Sequence, residues 1–144
     1  MAKHLVFSVG DREFAVSIEN TWEIRQADNV VPLPESPPWL RGVMDLRGKV
    51  IPVVDLASRF GFPPEASSGV ILVAESGGEK VGFLVRRVLE VLDLPPEMVE
   101  PPPAVYQGEG RRFVRGVVNL KGRILILISL SQVLEEAEVS FIRV

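Results

Sequence analysis

The chain has 144 residues, with 16 Lys and Arg against 19 Asp and Glu, one histidine and no cysteine. That length gives one ordinary domain or two very small ones sharing a core, and hydrophobic residues at 47% are ample to build it. The missing cysteines exclude thiol nucleophiles, disulfide frameworks and Cys-type zinc sites, the lone His4 excludes paired-histidine metal motifs, and a net charge of −3 argues against phosphate-held nucleic acid.

Most segments read as strands. Residues 5–9 (LVFSV) are rich in β-branched and aromatic types and end at a Gly10-Asp11 turn. Residues 13–18 (EFAVSI) alternate, with Phe14, Val16 and Ile18 on one side, which predicts a hairpin with one buried face. A turn or two of helix is expected near 19–25 and again near 55–60. Residues 49–54 (KVIPVV) are a short apolar run whose Pro52 places it at a sheet edge or a bulge. Residues 70–74 and 80–85 flank Gly77-Gly78 and repeat the hairpin design. Beyond a Pro-rich stretch at 93–113 comes a second apolar run, 123–128 (RILILI), and a short helix is expected over 130–137 (LSQVLEEA). The class is all-β with short helices.

The sequence also repeats itself. RGVMDLRGKVI at 41–51 returns as RGVVNLKGRIL at 115–125, so Gly42 falls on Gly116, Gly48 on Gly122 and, downstream, Leu56 on Leu130, each 74 residues on. Upstream the offset is 67: Trp22-Glu23-Ile24 falls on Leu89-Glu90-Val91 and Gly10 on Gly77. The difference sits in the Pro-rich stretch, where insertion is tolerated. Each unit has room for about five strands. A sheet that small removes its edges by closing into a barrel, and alone it would be marginal. The expectation is one domain over 1–144, built from two packed five-stranded barrels at 1–66 and 67–144. Either terminus is free to complete the neighbouring barrel.

Candidate chemistry is thin. GVMDLRGK at 42–49 has five residues between its glycines where a phosphate loop needs four, and Val50 stands where Ser or Thr must hold magnesium. Those glycines read as turn residues. Asp45 and Asp55 could pair as acid and base. One, however, sits in the turn motif, and the other begins a short helix as an N-cap. Arg111 and Arg112 read as surface charge, and Trp22 and Trp39 as packing rather than a stacking platform for bases. The stretch LPPEMVEPPPAVYQGEG is a polyproline ligand or a stiff connector. No nucleophile, base and oxyanion site come together. No catalytic residue, cofactor or metal ligand is therefore assigned, and a binding protein is expected.

The string RGVMDLRGKVIPVVDLASRFG at 41–61 resembles the signature of the CheW family, the coupling proteins of bacterial chemotaxis. FSVGDREFAVSIENTWEIR at 7–25, VGFLVRRVLEV at 81–91 and RGVVNLKGRILILI at 115–128 match related strings, so the resemblance spans the chain. It implies two five-stranded, SH3-like barrels around a shared apolar core. It also implies a non-enzymatic adaptor joining the helical cytoplasmic tip of chemoreceptors to the regulatory domain of a CheA-type histidine kinase. The family's partner-sensitive positions fall on Thr21, Glu23, Ile24, Gly42, Arg47 and Gly48, and an apolar groove between barrels would suit the anchors of a helical tip. The structural alternative is that Arg47 pairs with Glu23 and holds the turn. Asp45, Ala57, Arg86 and Ser129 depart from the family pattern, which leaves partner identity open, including a non-flagellar chemosensory pathway. The resemblance implies no cofactor, no nucleic acid and no membrane insertion. The protein is expected in the cytoplasm, recruited to receptor arrays. The rival readings are an SH3- or OB-like nucleic-acid binder and a small carboxylate enzyme.

Overall fold

Each apolar segment pairs first with its nearest neighbour in sequence. β1 (Lys3–Val9) and β2 (Arg12–Ser17) form a hairpin, as do β6 (Val70–Ser76) and β7 (Glu79–Val85). β4 (Leu40–Leu46) pairs with β5 (Lys49–Asp55), and β9 (Val114–Leu120) with β10 (Arg123–Ile128). Single strands β3 (Thr21–Gln26) and β8 (Arg87–Asp93) complete the set, and one-turn helices α1 (Leu56–Arg59) and α2 (Leu130–Val133) follow β5 and β10. The computed structural model describes residues 3–65, 69–76, 78–106 and 109–133.

Among the described residues these strands form two five-stranded sheets. A central sheet runs β3-β6-β7-β5-β4 and a terminal sheet runs β8-β1-β2-β10-β9. Counted within each repeat, both have the order third, first, second, fifth, fourth. In both, the first two strands come from the other repeat. A division at residue 66 therefore does not separate the sheets. The terminal sheet takes Lys3–Ser17 from one end and Arg87–Ile128 from the other, and the central sheet holds Thr21–Val85.

Chain reach dictates this exchange. Within one sheet the third strand would lie parallel to the second, so the chain would have to return along a six-residue strand, about 20 Å. Only residues 18–20 link β2 to β3, and only residue 86 links β7 to β8. Three residues span at most about 11 Å. Each third strand must instead enter the other sheet. The exchange is reciprocal and in register: β5 sets Val53 against Gly82 in a parallel ladder, and β10 sets Leu127 against Ala15.

The exchange also explains why several strands are apolar on both sides. One face of each hairpin enters a core shared by both sheets, through Leu5, Phe7 and Phe14 and through Leu72, Val81 and Phe83. The other face lines its own sheet's interior, Ile71, Val73 and Leu84 with Ile51 in one and Val6 and Ala15 with Leu125 in the other. The expected single buried face of 13–18 is thus corrected, since Ala15 is as buried as Phe14. Pro52 is not at an edge either, because β5 lies between β7 and β4. The ladder to β7 begins at Val53, just past the proline, so the missing N–H falls outside it. The helix expected near 19–25 is one 3-10 turn, Ile18–Asn20, and the rest is β3. The expected helices near 55–60 and 130–137 are seen as α1 and α2, residues 134–137 lying outside the described residues.

Two local devices hold the central sheet. Gly42 has φ +149°, and a Cβ there would lie 2.6 Å from the Val31 carbonyl carbon and 2.9 Å from Pro32 Cα. That space is closed by the bridge between Val31 and Val43. Asp55, 1% exposed, caps α1 by accepting the Ser58 N–H, accepts the Glu65 N–H at 3.1 Å and takes the Arg41 guanidinium at 3.0 Å. Gly42→Ala should cost about 3 kcal/mol through backbone overlap in a left-handed conformation. Asp55→Ala should cost a similar amount, about 3 kcal/mol, because one change removes a cap and strips a half-buried arginine of its partner. Urea unfolding followed by circular dichroism measures both.

Candidate functional site

The turn between β4 and β5 is two residues long. Arg47 has φ +49° and Gly48 φ +90°, the two positive values that a tight hairpin turn matching the sheet twist requires. Asp45 secures it by accepting the Gly48 N–H at 2.9 Å. The second copy is built identically: Lys121 and Gly122 have φ +52° and +94°, and Asn119 accepts the Gly122 N–H at 2.7 Å. The recurring basic-Gly pair in the sequence is this turn.

From it the exposed Arg47 side chain makes a two-pronged contact with Glu23, Nη2 to Oε1 at 2.8 Å and Nη1 to Oε2 at 3.1 Å. Arg25 reaches the same carboxylate at 3.5 Å. Its hydrogen bond from Arg47 holds Glu23 below the usual carboxylate range, against a smaller opposing effect of burial, and raises the Arg47 guanidinium in turn. Glu23 lies on β3 and Arg47 beside β4, the two opposite edges of the central sheet. The clasp therefore draws the edges together and curls the sheet.

Ile24 points the other way. Its cross-strand partner is Leu72 of the shared core, whereas that of Glu23 is Val73 of the sheet's own interior. Ile24 is 49% exposed, so it marks an uncovered margin of the shared core. In the terminal sheet Val91, opposite Leu5 of the same core, occupies the equivalent place and is 48% exposed. Sequence reasoning missed Val91, although the 67-residue offset that aligns it with Ile24 was the signal. The terminal sheet has its own clasp, in which Arg123 holds Glu13 and Glu90.

Of the six positions singled out, the structure brings Glu23 and Arg47 into contact, with Gly48 completing the turn. Ile24 adjoins them on the opposite face. Gly42 serves a close backbone approach. Thr21 begins β3 opposite Ala74, and its side chain lies outside the described residues. Asp45 and Asp55 do not meet, since one holds the turn and the other is engaged by Arg41. Arg111 donates to the Pro103 carbonyl, and Trp39 packs against the shared core. Among the described residues no cluster of three or more His, Cys, Asp or Glu could hold a metal, and no helix is long and apolar enough to cross a membrane. An apolar groove of about 710 Å³ opens where the end of α1 meets the terminal sheet. Phe14, Phe60 and Phe113 line it, with Arg12 and Arg59 beside them, and it contains none of the six positions.

Comparison with known proteins covers the same span. The model of the CheW-like domain matches residues 3–138. The probable chemotaxis protein CheW of Rhizobium etli is 36% identical over 136 residues, covering 93% of this chain and 88% of that protein. Protein FrzA of Myxococcus xanthus is 32% identical over 136 residues, 91% of this chain and 84% of its own. The crystal structure of the scaffolding protein TtCheW from Thermoanaerobacter tengcongensis superposes with a TM-score of 0.83 at 32% identity, covering 93% and 92% of the two chains. Sequence and architecture agree from the first strand to the last, and the chain belongs to the CheW-like domain family.

Proposed function

We propose that this protein is a non-enzymatic adaptor of chemotaxis signalling, coupling the cytoplasmic tips of chemoreceptors to a CheA-type histidine kinase. Membership of a family whose relatives are named as chemotaxis and scaffolding proteins supports the class of function. The observation that carries the assignment to a surface is the Glu23–Arg47 clasp with the uncovered Ile24 beside it. A receptor tip is a helical hairpin, and its apolar anchors need an exposed apolar strip with fixed polar groups alongside. Ile24 and Val91 supply such strips at the margins of the shared core. The guanidinium at the clasp, held in a rigid turn, supplies a planar donor that orients a partner. The kinase regulatory domain, itself CheW-like, meets the same turn end to end. The protein acts in the cytoplasm at receptor arrays.

Arg47→Lys tests the fork, because the equivalent Lys121 shows that the turn accepts lysine. The thermal midpoint should move by no more than a few degrees, while affinity for the receptor tip or the kinase regulatory domain falls roughly 5- to 150-fold, measured by titration calorimetry. Unchanged affinity for both would leave the clasp a structural device. Ile24→Asp should abolish receptor-tip binding and spare folding. If Phe62→Ser at the aromatic groove abolishes it instead, the tip docks there. Because Glu23 is held below the ordinary carboxylate value of 4.5, the clasp is fully formed above that pH and opens only as pH falls through the lower folded-state value. Binding should accordingly stay constant from neutral pH down to the ordinary carboxylate value and weaken only below it, as a pH series of the same titration will show.

A further inference from the structure

The two repeats treat one position oppositely. In the central sheet, Arg41 lies at the β4 bulge and donates to the buried Asp55 carboxylate at 3.0 Å and to the Glu65 carbonyl at 2.8 Å. Leu84 lies opposite Asp55 in the parallel ladder and Ile71 opposite Leu84 in the next, and both are buried. The terminal sheet has the same bulge, between Leu127 and Ile128, and the equivalent arginine is Arg115. Its expected carboxylate is gone, because the residue equivalent to Asp55 is Ser129. The counterparts of Ile71 and Leu84 are His4 and Ser17, paired across β1 and β2 as Ile71 and Leu84 are across β6 and β7.

Four positions that hold an ion pair and two aliphatic side chains in one copy thus hold a guanidinium, two hydroxyls and an imidazole in the other. They line a cavity of about 250 Å³. The Arg115 guanidinium makes no hydrogen bond or ion pair with the described residues, and Ser129 Oγ lies 3.0 Å from Ser131 Oγ. Among the described residues that line the cavity, none is acidic.

From this we infer that the cavity is a carboxylate-binding site: Arg115, with Ser17, Ser129 and His4 around it, takes in trans the carboxylate that Asp55 supplies in cis to Arg41. Carboxylate is the class named, rather than another oxyanion, because the same backbone frame already presents a carboxylate to the equivalent arginine. A guanidinium fork and neighbouring hydroxyl donors suit two acceptor oxygens on one plane. The carboxylate comes from a free small acid or from an acidic side chain of a partner protein. The inference is independent of the adaptor reading, since it uses none of the residues of the Glu23–Arg47 face.

The test is a titration of the full chain by two-dimensional ¹H–¹⁵N NMR at constant ionic strength, with sodium acetate, sodium sulfate or a capped Gly-Glu-Gly peptide against sodium chloride. Saturable shifts are expected for Arg115 Nε–H and the amides of Ser17 and Ser129 with acetate or the peptide, and none with chloride. Arg115→Gln should weaken this at least tenfold. Ser129→Asp should supply the carboxylate in cis, raise the thermal midpoint and suppress the shifts; should that variant not fold, Arg115→Gln carries the test. Peptide binding at least tenfold tighter than acetate assigns the carboxylate to a partner side chain, and the reverse assigns it to a small acid. Absence of saturable shifts with either carboxylate, shifts that survive Arg115→Gln, or response to sulfate alone would overturn the assignment.

Discussion

Everything in this fold depends on the shortness of two links. With three residues between β2 and β3, and one between β7 and β8, the chain cannot fold back to finish the sheet it has begun. Each repeat surrenders its first hairpin to the other, and neither sheet exists without both. The shared core follows directly, since each hairpin must bury one face in its host sheet and the other against the neighbour. Units of this size are marginal alone. Here they gain stability by interlocking, which also fixes the orientation of the two sheets more firmly than a linker could. For a scaffold, that rigidity is useful: two surfaces on opposite repeats are held at one set distance.

Duplication supplies an internal control for reading individual residues. Features present in both copies belong to the fold. The positive-φ turn, the Asp45 or Asn119 side chain that secures it, and the glycines at the close approaches to Val31 and Glu100 are of this kind. Features present in one copy need a separate explanation. Glu23 is clasped from the turn by Arg47, whereas its counterpart Glu90 is held from β10 by Arg123 together with Glu13. Arg41 has its buried carboxylate and Arg115 does not. Equal backbones with unequal side chains allow the two sheets to meet different partners, as an adaptor requires.

The strands and their repetition were legible because period-two alternation and Gly turns act over a few residues. Phe14 and Val16 declared a strand on their own, and so did the run around Ile124. The turn at Arg47-Gly48 was visible for the same reason. What stayed hidden depends on contacts between distant segments. Nothing local in EFAVSI says that Ala15 faces an interior, because that interior is completed by β10 more than a hundred residues away. Pro52 suggested an edge, but what permits it is where a parallel ladder happens to start. The candidate site was half legible. Glu23, Ile24 and Arg47 were singled out through family resemblance, and their grouping on β3 and its facing turn emerged only with the sheet order. The 67-residue offset that aligns Val91 with Ile24 was a signal, but an exposed aliphatic residue in a strand stands out only once its face is known.

The charged clasp and the apolar margins have the electrostatics of a binding surface. A catalytic group needs a pKa shifted toward its working pH and a cleft that excludes water. Glu23 is shifted the other way, further into its charged form, and its arginine partner stands in solvent. Among the described residues the one buried carboxylate, Asp55, is engaged by a helix cap, a loop N–H and Arg41. The Glu23–Arg47 pair holds its charges steady across the physiological range, which is the requirement for an interface that must stay assembled.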